Sequence, residues 1–290
     1  MSRRQQAVVA PVLPADDADL ERRFGGLRRL HGEAGYRRIR AGRFAIVGVG
    51  GVGSWAAEAL ARSGVAALTL IVLDHVSESN INRQVQAVGR TVGQAKVQAL
   101  RERIADIHPG CEVIGVEEFV DEDNWPALLP GPVDAVIDAC DQVRAKAVIA
   151  AWALRARVAL VVAGAAGGKR RPHEVQVEDL ALVTHDPLLA ALRQRLRKQH
   201  GAARSGRIGV QCVFSREPVS MPEAEAVCEA GAAADASAAV EANLNCHGYG
   251  SSVGVTATFG FVAASLALEF AALRDDADTK PAIIEGLPGC

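Results

Sequence analysis

The stretch that decides the fold is Ile46-Val-Gly-Val-Gly-Gly-Val-Gly-Ser-Trp55. The apolar residues 44–47 predict a β-strand, and a helical pattern begins at Ser54. Four glycines lie between the two: Gly48, Gly50, Gly51 and Gly53. Glycines at this point allow a tight turn and bring bare backbone N–H groups close to a phosphate at a helix N-terminus. The stretch predicts a nucleotide-binding strand–turn–helix, which many different nucleotide-binding proteins share.

A second segment, Glu78-Ser-Asn-Ile-Asn-Arg-Gln84, narrows the choice of nucleotide. It follows the second predicted strand and is polar over most of its length. An enzyme that binds NAD has no need of such a loop here, whereas an enzyme that grips ATP phosphates does. The segment therefore favours ATP.

Length and composition permit one large α/β domain, because 290 residues of which 49% are hydrophobic can bury an ample core. Strands and helices alternate along the first half, which predicts a Rossmann-like, doubly wound, mainly parallel sheet. The irregular C-terminal half is expected to complete the sheet and to supply a dimer interface. We expect flexible tails at 1–18 and 274–290 around a single domain, 19–273. The predicted strands are 43–48, 68–73, 112–117, 133–137, 158–163, 174–178 and 210–215, and the predicted helices are 19–41, 52–63, 93–107, 123–128, 142–156 and 187–199, with a loop at 219–243.

The six cysteines contain no Cys-x-x-Cys pair, which argues against a four-cysteine zinc site and a secreted disulfide scaffold. Reduced thiols in the cytoplasm fit this pattern best. The apolar segment 253–273 is about long enough to cross a bilayer. Its many small residues favour close packing within the protein or between subunits, so no stable membrane association is expected.

Four motifs resemble the ThiF/MoeB superfamily, the adenylating enzymes related to ubiquitin-activating enzymes. They are Gly48-Val-Gly-Gly-Val-Gly53, Ser79-Asn-Ile-Asn-Arg-Gln84, Gly93-Gln-Ala-Lys96 and Ile137-Asp-Ala-Cys-Asp141. Within that superfamily the chain resembles the tRNA threonylcarbamoyladenosine dehydratases over about residues 20–272. This closer resemblance rests on Arg23-Phe-Gly-Gly26, Gly53-Ser-Trp-Ala-Ala-Glu-Ala-Leu-Ala-Arg62, Asp186-Pro-Leu188 and Val255-Thr-Ala-Thr-Phe-Gly-Phe-Val262.

The resemblance implies roles for individual residues in ATP-dependent adenylation. Arg83 and Lys96 would neutralise phosphate charge, and Asn80 would add a neutral contact. Asp141 would coordinate Mg²⁺, which prefers oxygen ligands. Two structural alternatives remain open at this point: a solvated surface pair for Arg83 and Lys96, and a helix N-cap for Asp141.

The resemblance also implies a substrate, tRNA that carries threonylcarbamoyladenosine beside the anticodon. ATP would activate the threonyl carboxylate, and ring closure would complete a dehydration. The same resemblance implies a homodimer, a bound monovalent cation and a cysteine-desulfurase sulfur-transfer partner. Cys246 is a candidate functional thiol because Asn245-Cys-His-Gly-Tyr-Gly250 matches a family segment, although a buried hydrophobic role fits it equally.

A tRNA partner requires cations, although the net charge of the chain is only −2. The densest basic region outside the N-terminal helix is 193–200, continued by Arg204, Arg207 and Lys169-Arg-Arg171. We expect Arg193, Arg197 and Lys198 to contact tRNA phosphates. A solvated helix face is the alternative.

One position departs from the superfamily, whose members usually carry an aspartate at the end of the second strand to bind the ATP ribose. Val72 stands there in this chain, and a valine side chain accepts no hydrogen bond. Asp74 points to the same side by strand alternation and is the candidate substitute.

Three other functions stay open. They are an adenylyltransferase for a ubiquitin-like sulfur carrier, an NAD-dependent oxidoreductase with Asp74 on the adenine ribose, and a nucleotide-binding module without catalysis. The missing Cys-x-x-Cys pairs count against the sulfur-carrier enzyme.

Overall fold

The computed structural model describes residues 19–220 and 249–274, which form a seven-stranded sheet of order β3-β2-β1-β4-β5-β7-β6. All neighbouring strands are parallel except β6, which runs antiparallel to β7. The strands are β1 Arg43–Val47, β2 Ala67–Ile71, β3 Glu112–Val116, β4 Ala135–Asp138, β5 Ala159–Ala163, β6 Val175–Asp179 and β7 Gln211–Ser215. The predicted mainly parallel sheet, completed by the C-terminal half, is confirmed.

Helices cover both faces of the sheet. They are α1 Leu20–Phe24, α2 Gly26–Ala41, α3 Gly53–Arg62, α4 Lys96–Ile107, α5 Val143–Ala156, α6 Pro187–Gln199 and α7 Val253–Leu273. Successive side chains of a strand point to opposite faces. In β1, Phe44 and Ile46 pack with α3, α4 and α7, whereas Ala45 and Val47 pack with α5 and α6.

The helix α7 is the apolar segment noted in the sequence. Among the described residues it is the one helix long and apolar enough to cross a membrane, by length and composition. Twelve of its 21 residues are buried, however. A Cβ at Gly260 would lie 2.5 Å from the carbonyl oxygen of Val52, so glycine is what lets α7 pack directly on α3. The helix is part of the core of this domain.

Two predicted helices differ from those observed. The predicted helix 19–41 is broken after Phe24, and Gly32 adopts a positive φ of 70° within α2. The predicted helix 123–128 is a run of turns. Asp121 Oδ1 accepts the amides of Asp123 and Asn124, as a helix N-cap would, but Pro126 has no backbone N–H to continue the ladder. The predicted tails and most of the loop 219–243 lie outside the described residues.

Candidate active site

The order of the strands reverses at β1, because β2 lies on one side of it and β4 on the other. In open α/β sheets, ligands bind at the carboxyl ends of the strands at such a switch point. Here Val47 pairs with both Ile71 and Asp138, so β1, β2 and β4 end level with one another. The loops that follow these strands carry the predicted nucleotide-binding residues. We call this region the glycine-turn site; it comprises residues 48–53, Arg83, Lys96 and Asp141.

Two glycines of the turn are required by close backbone contacts. Gly48 has a φ of 82°, and a Cβ there would lie 2.8 Å from the Cys140 nitrogen. A Cβ at Gly53 would collide with the carbonyl oxygen of Gly48. Gly50 faces open space, and Gly51 faces Thr256 and Arg83. The N-cap of α3 is Val52, whose side chain offers no hydrogen bond, so the first turn keeps amides for an anionic ligand.

Arg83 lies against this turn, with its Cγ 3.5 Å from the position of a Cβ at Gly51. Its Nη1 donates to the carbonyl oxygen of Ser79 and to Asn82 Oδ1. Its Nε is buried and has no hydrogen-bond partner within the described part of the chain. A buried donor is costly to leave unsatisfied. Arg83 is therefore suited to an anion held at the glycine turn.

Lys96 is the first residue of α4 and is buried, which excludes the solvated surface pair for this residue. Its Nζ lies 2.7 Å from Oδ2 of Asp74, whose side chain is half exposed. A cation at a helix N-terminus opposes the helix dipole. The position is thus locally unfavourable for lysine, and Asp74 or a bound anion must offset the charge.

Asn80 is buried and has a structural task. Its Oδ1 accepts the amide of Ser77 and caps the short 3-10 turn that leads to Arg83. The predicted contact between Asn80 and the nucleotide stays a prediction.

Asp141 follows the end of β4 by three residues and is exposed. The N-cap of α5 is Gln142, so the alternative that Asp141 caps this helix is wrong. Partial desolvation raises the pKa of Asp141, and the nearby carboxylates of Asp74 and Asp138 add to this increase. A cation bound beside these carboxylates would reverse the effect.

The sequence did not reveal a buried ion pair whose two charges both act on Asp141. Lys146 and Asp138 are both fully buried and form an ion pair of 3.2 Å. Burial lowers the pKa of Lys146, but the attraction and hydrogen bond of Asp138, to which Cys140 and Cys212 add, outweigh it, so the net shift is upward and the ammonium stays protonated. The one available signal was an aspartate at the end of an apolar strand with a lysine one helical turn into the next helix.

The residues of the glycine-turn site fit ATP better than they fit a metal ion alone. The unsatisfied Nε of Arg83, the buried Lys96 and the glycine turn suit phosphate oxygens. Within residues 19–220 and 249–274, no three His, Cys, Asp or Glu side chains are placed to hold a metal by themselves. Mg²⁺ is commonly held by one or two carboxylates together with substrate phosphates. Asp141 suits that arrangement.

Val72 lies just beyond the end of β2, and its side chain has no hydrogen-bond acceptor. It is buried, and its amide donates to the carbonyl oxygen of Val116, so it extends the sheet. Asp74 is already paired with Lys96. Its predicted role on the ribose stays a prediction and would compete with that ion pair.

A second candidate region is a groove of ≈ 490 Å³ along α6, which we call the α6 groove. It is lined by Ala190, Arg193, Gln194, Arg197, Lys198 and Arg204. Arg193 donates through Nη1 to the carbonyl oxygens of Leu180 and Val183, which gives it a structural task. Arg197 donates to Ala203, and Lys198 and Arg204 are exposed. The lining contains no acidic residue, so the groove is a cationic surface.

The structure places two further residues from the sequence analysis, Lys169 and Cys212, in the buried interior. Lys169, expected in the basic region, is buried and donates to the carbonyl oxygens of Ser215 and Glu217. Cys246 lies outside the described residues. Cys212 is buried in β7, as a core cysteine would be.

Comparison with known proteins places this geometry in context. The profile described as the ThiF family matches residues 22–280. The tRNA threonylcarbamoyladenosine dehydratase of Escherichia coli is 44% identical over 85% of this chain and 92% of its own length. That of Haemophilus influenzae is 37% identical over 86% of this chain and 93% of its own length. The crystal structure of the E. coli enzyme in complex with ATP superposes with a TM-score of 0.76 at 41% identity, covering 88% of this chain and 96% of that one.

Proposed function

The chain belongs to the ThiF family, and on that basis we propose that it is an ATP-dependent tRNA threonylcarbamoyladenosine dehydratase. Similarity to two such enzymes over more than nine tenths of their length supports this function. The observation that carries it is the glycine-turn site, where Arg83 keeps a buried, unsatisfied donor against the turn and Lys96 is buried on Asp74.

The proposed reaction begins with attack of the threonyl carboxylate on the α-phosphorus of ATP. A carboxylate–phosphorus bond forms, the bond to pyrophosphate breaks, and the product is an acyl-adenylate. Negative charge on the phosphate oxygens must be neutralised in this step. Arg83 Nε and the amides of the glycine turn would bind these oxygens. Lys96 would exchange its contact with Asp74 for one with phosphate.

The second step closes the ring. A nitrogen of the modification attacks the activated carbonyl, loses its proton to solvent, and AMP leaves. The two steps together remove one water from the modified base. No protein nucleophile is needed, so this scheme assigns no step to Cys246. A function for its thiol stays a prediction.

Asp141 is the proposed ligand of Mg²⁺, which would supply further neutralisation of the phosphates when bound. Its raised pKa follows from desolvation and from neighbouring carboxylates, and bound Mg²⁺ would relieve that repulsion. A monovalent cation and a cysteine-desulfurase partner remain predictions from the resemblance.

The α6 groove is the proposed contact for the tRNA backbone. Arg197, Lys198 and Arg204 project cationic groups without acidic neighbours in the lining. Phosphate contacts of this kind give affinity rather than base recognition. Arg193 is proposed mainly to hold the groove in shape.

A homodimer is proposed to form over the outer side of α7. Phe261 and Val253 are each 44% exposed there, and Phe261 packs edge-on against Trp55. Large exposed apolar side chains beside small residues are typical of subunit contacts. Because α7 is committed to the core on its other side, we propose a cytoplasmic enzyme without stable membrane association, built as a single domain over 19–273.

The reaction is tested by product analysis with purified tRNA that carries threonylcarbamoyladenosine. We expect release of AMP and pyrophosphate that depends on the modified tRNA. Unmodified tRNA is the matched control and should give neither product. Release that depends instead on a ubiquitin-like sulfur carrier, or hydride transfer to NAD, would replace the proposal with one of those functions.

A further inference from the structure

Lys146 lies in α5, contacts the end of β4 that leads to Asp141, and is fully buried. Its Nζ donates to three oxygen atoms: the carbonyl of Ala163 (3.0 Å), Asp138 Oδ1 (3.2 Å) and the carbonyl of Asp138 (3.3 Å). An ammonium group has three hydrogens to donate. All of them are thus directed at the ends of two neighbouring strands.

The geometry of these contacts ties β4 to β5. Asp138 is the last residue of β4 and Ala163 the last residue of β5, so Lys146 joins the two strands where their own ladder ends. Asp138 Oδ1 also accepts the amide of Cys140. One ammonium and one carboxylate therefore fix the start of the loop that leads to Asp141.

The same loop is held from the opposite side by β1. The amide of Ala139 donates to the carbonyl oxygen of Val47 at 2.8 Å. Gly48 packs against Ala139 and Cys140 so closely that a Cβ would not fit. The residues that precede Asp141 are confined between the glycine turn and the Lys146–Asp138 pair.

A contribution to the stability of the fold does not by itself explain why Lys146 and Asp138 form a buried ion pair. The cost of desolvating two charges commonly offsets their attraction, and apolar residues of similar volume often do as well. Moreover, Asp138 Oδ2 is buried without a hydrogen-bond partner among the described residues. A pair kept only for stability would be expected to satisfy both oxygens.

We propose that Lys146 is a positioning residue that, through Asp138 and the end of β5, holds Asp141 where it meets the metal bound to ATP phosphates. This inference rests on the proposed function only in taking Asp141 as the magnesium ligand. Lys146 touches neither nucleotide nor metal in this account. It acts through the loop 139–141.

The test is a double-mutant cycle on ATP binding, measured by calorimetry with Mg²⁺ and with EDTA. The four proteins are wild type, Lys146→Met, Asp141→Asn and the double variant. We expect Lys146→Met to weaken binding about tenfold with Mg²⁺, as loss of an outer-sphere partner typically does, and to leave Mg²⁺-free binding unchanged. In the Asp141→Asn background, Lys146→Met should cause no further loss, because the two residues act in one path.

Additive effects, or an equal loss with and without Mg²⁺, would show a general structural role and overturn the proposal. Because Lys146→Met leaves Asp138 unpaired, the variant Lys146→Met/Asp138→Asn is measured as well. It removes both charges at nearly constant volume and should show the same Mg²⁺-dependent loss. Wild-type affinity in this variant, or its failure to fold, would also contradict a positioning role.

Glu58→Gln is the control for loss of an ion pair made by a buried carboxylate. Glu58 is buried in α3 and pairs with Arg62 of the same helix and Arg103 of α4, neither of which belongs to the loop 139–141. It should lower the melting temperature without changing the Mg²⁺ dependence of ATP binding. If the wild type cyclises tRNA while Lys146→Met keeps wild-type Mg²⁺ dependence, only the positioning proposal fails. If the wild type binds Mg²⁺–ATP in this way but never cyclises tRNA, only the proposed function fails.

Discussion

The glycine-turn site and the α6 groove both present cations for phosphate, but they hold those cations differently. Lys96 is buried, and Arg83 keeps a buried, unsatisfied Nε beside a turn in which a Cβ would not fit at Gly48 or Gly53. In the α6 groove, Lys198 and Arg204 are exposed, and Arg193 already donates to two carbonyl oxygens. A cation that is desolvated and pre-positioned contributes far more to charge stabilisation than one that solvent screens. The glycine-turn site should therefore control the rate of ATP-dependent cyclisation. The α6 groove should control the affinity for tRNA and its dependence on salt.

The largest effect is expected at the glycine-turn site. Arg83→Ala and Lys96→Ala should each lower the rate of ATP-dependent cyclisation on the order of a hundredfold or more, because each removes a group that neutralises transition-state charge. Circular dichroism should show an intact fold. Arg90→Ala is the matched control, since Arg90 is exposed on the loop between the two. Near-normal turnover in either variant would remove that residue from the site.

The next effect concerns Val72. Val72→Asp should tighten ATP binding roughly ten- to a hundredfold, because a hydrogen bond to a charged group contributes about 1.5–3 kcal/mol. Calorimetry with ATP measures this, and 2′,3′-dideoxy-ATP is the control ligand. The analogue lacks the ribose hydroxyls and should gain nothing. Equal ATP affinity in both proteins would show that the ribose is held elsewhere, with Asp74 the first residue to examine.

A smaller and salt-dependent effect is expected in the α6 groove. Replacing Arg197, Lys198 and Arg204 with Glu should weaken tRNA binding on the order of tenfold and flatten its salt dependence by about one power per lost contact. ATP binding should not change. The same charge change at three other exposed arginines, Arg90, Arg155 and Arg157, is the control. Unchanged tRNA affinity and salt slope would make the groove a solvated helix face.

A further effect, on stability and not on activity or binding, lies outside both regions, in the buried ring of His108. Burial, followed by the charges of Arg40 and Arg23, lowers the pKa of His108 from 6.5 to about 4. The folded protein thus binds fewer protons than the unfolded chain between these values. Its contribution to stability is complete above pH 6.5 and declines by about 1.4 kcal/mol per pH unit as the pH falls toward 4. Urea unfolding at several pH values measures the slope, which His108→Gln should reduce; an unchanged slope would contradict this assignment.

The parts of this molecule that the sequence predicts well are local. The glycine turn and the polar loop with Arg83 are each short, and their residue types alone predict the local backbone geometry. By contrast, the Lys146–Asp138 pair depends on the register of β4 against β5 and on how α5 packs above them, and no spacing reveals it. Lys169 was misjudged for the same reason: a lysine in a basic run gives no sign that its Nζ will be enclosed by the end of β7. The predicted helix 123–128 failed because Pro126 has no backbone N–H and interrupts the helical ladder.

The central claim is tested most directly by mass spectrometry of tRNA nucleosides after incubation with the protein. With ATP and Mg²⁺, threonylcarbamoyladenosine should be converted to a product lighter by one water, and Arg83→Ala should leave it unconverted. Unchanged threonylcarbamoyladenosine after incubation with an ATP-bound, folded wild-type protein would contradict the proposed function.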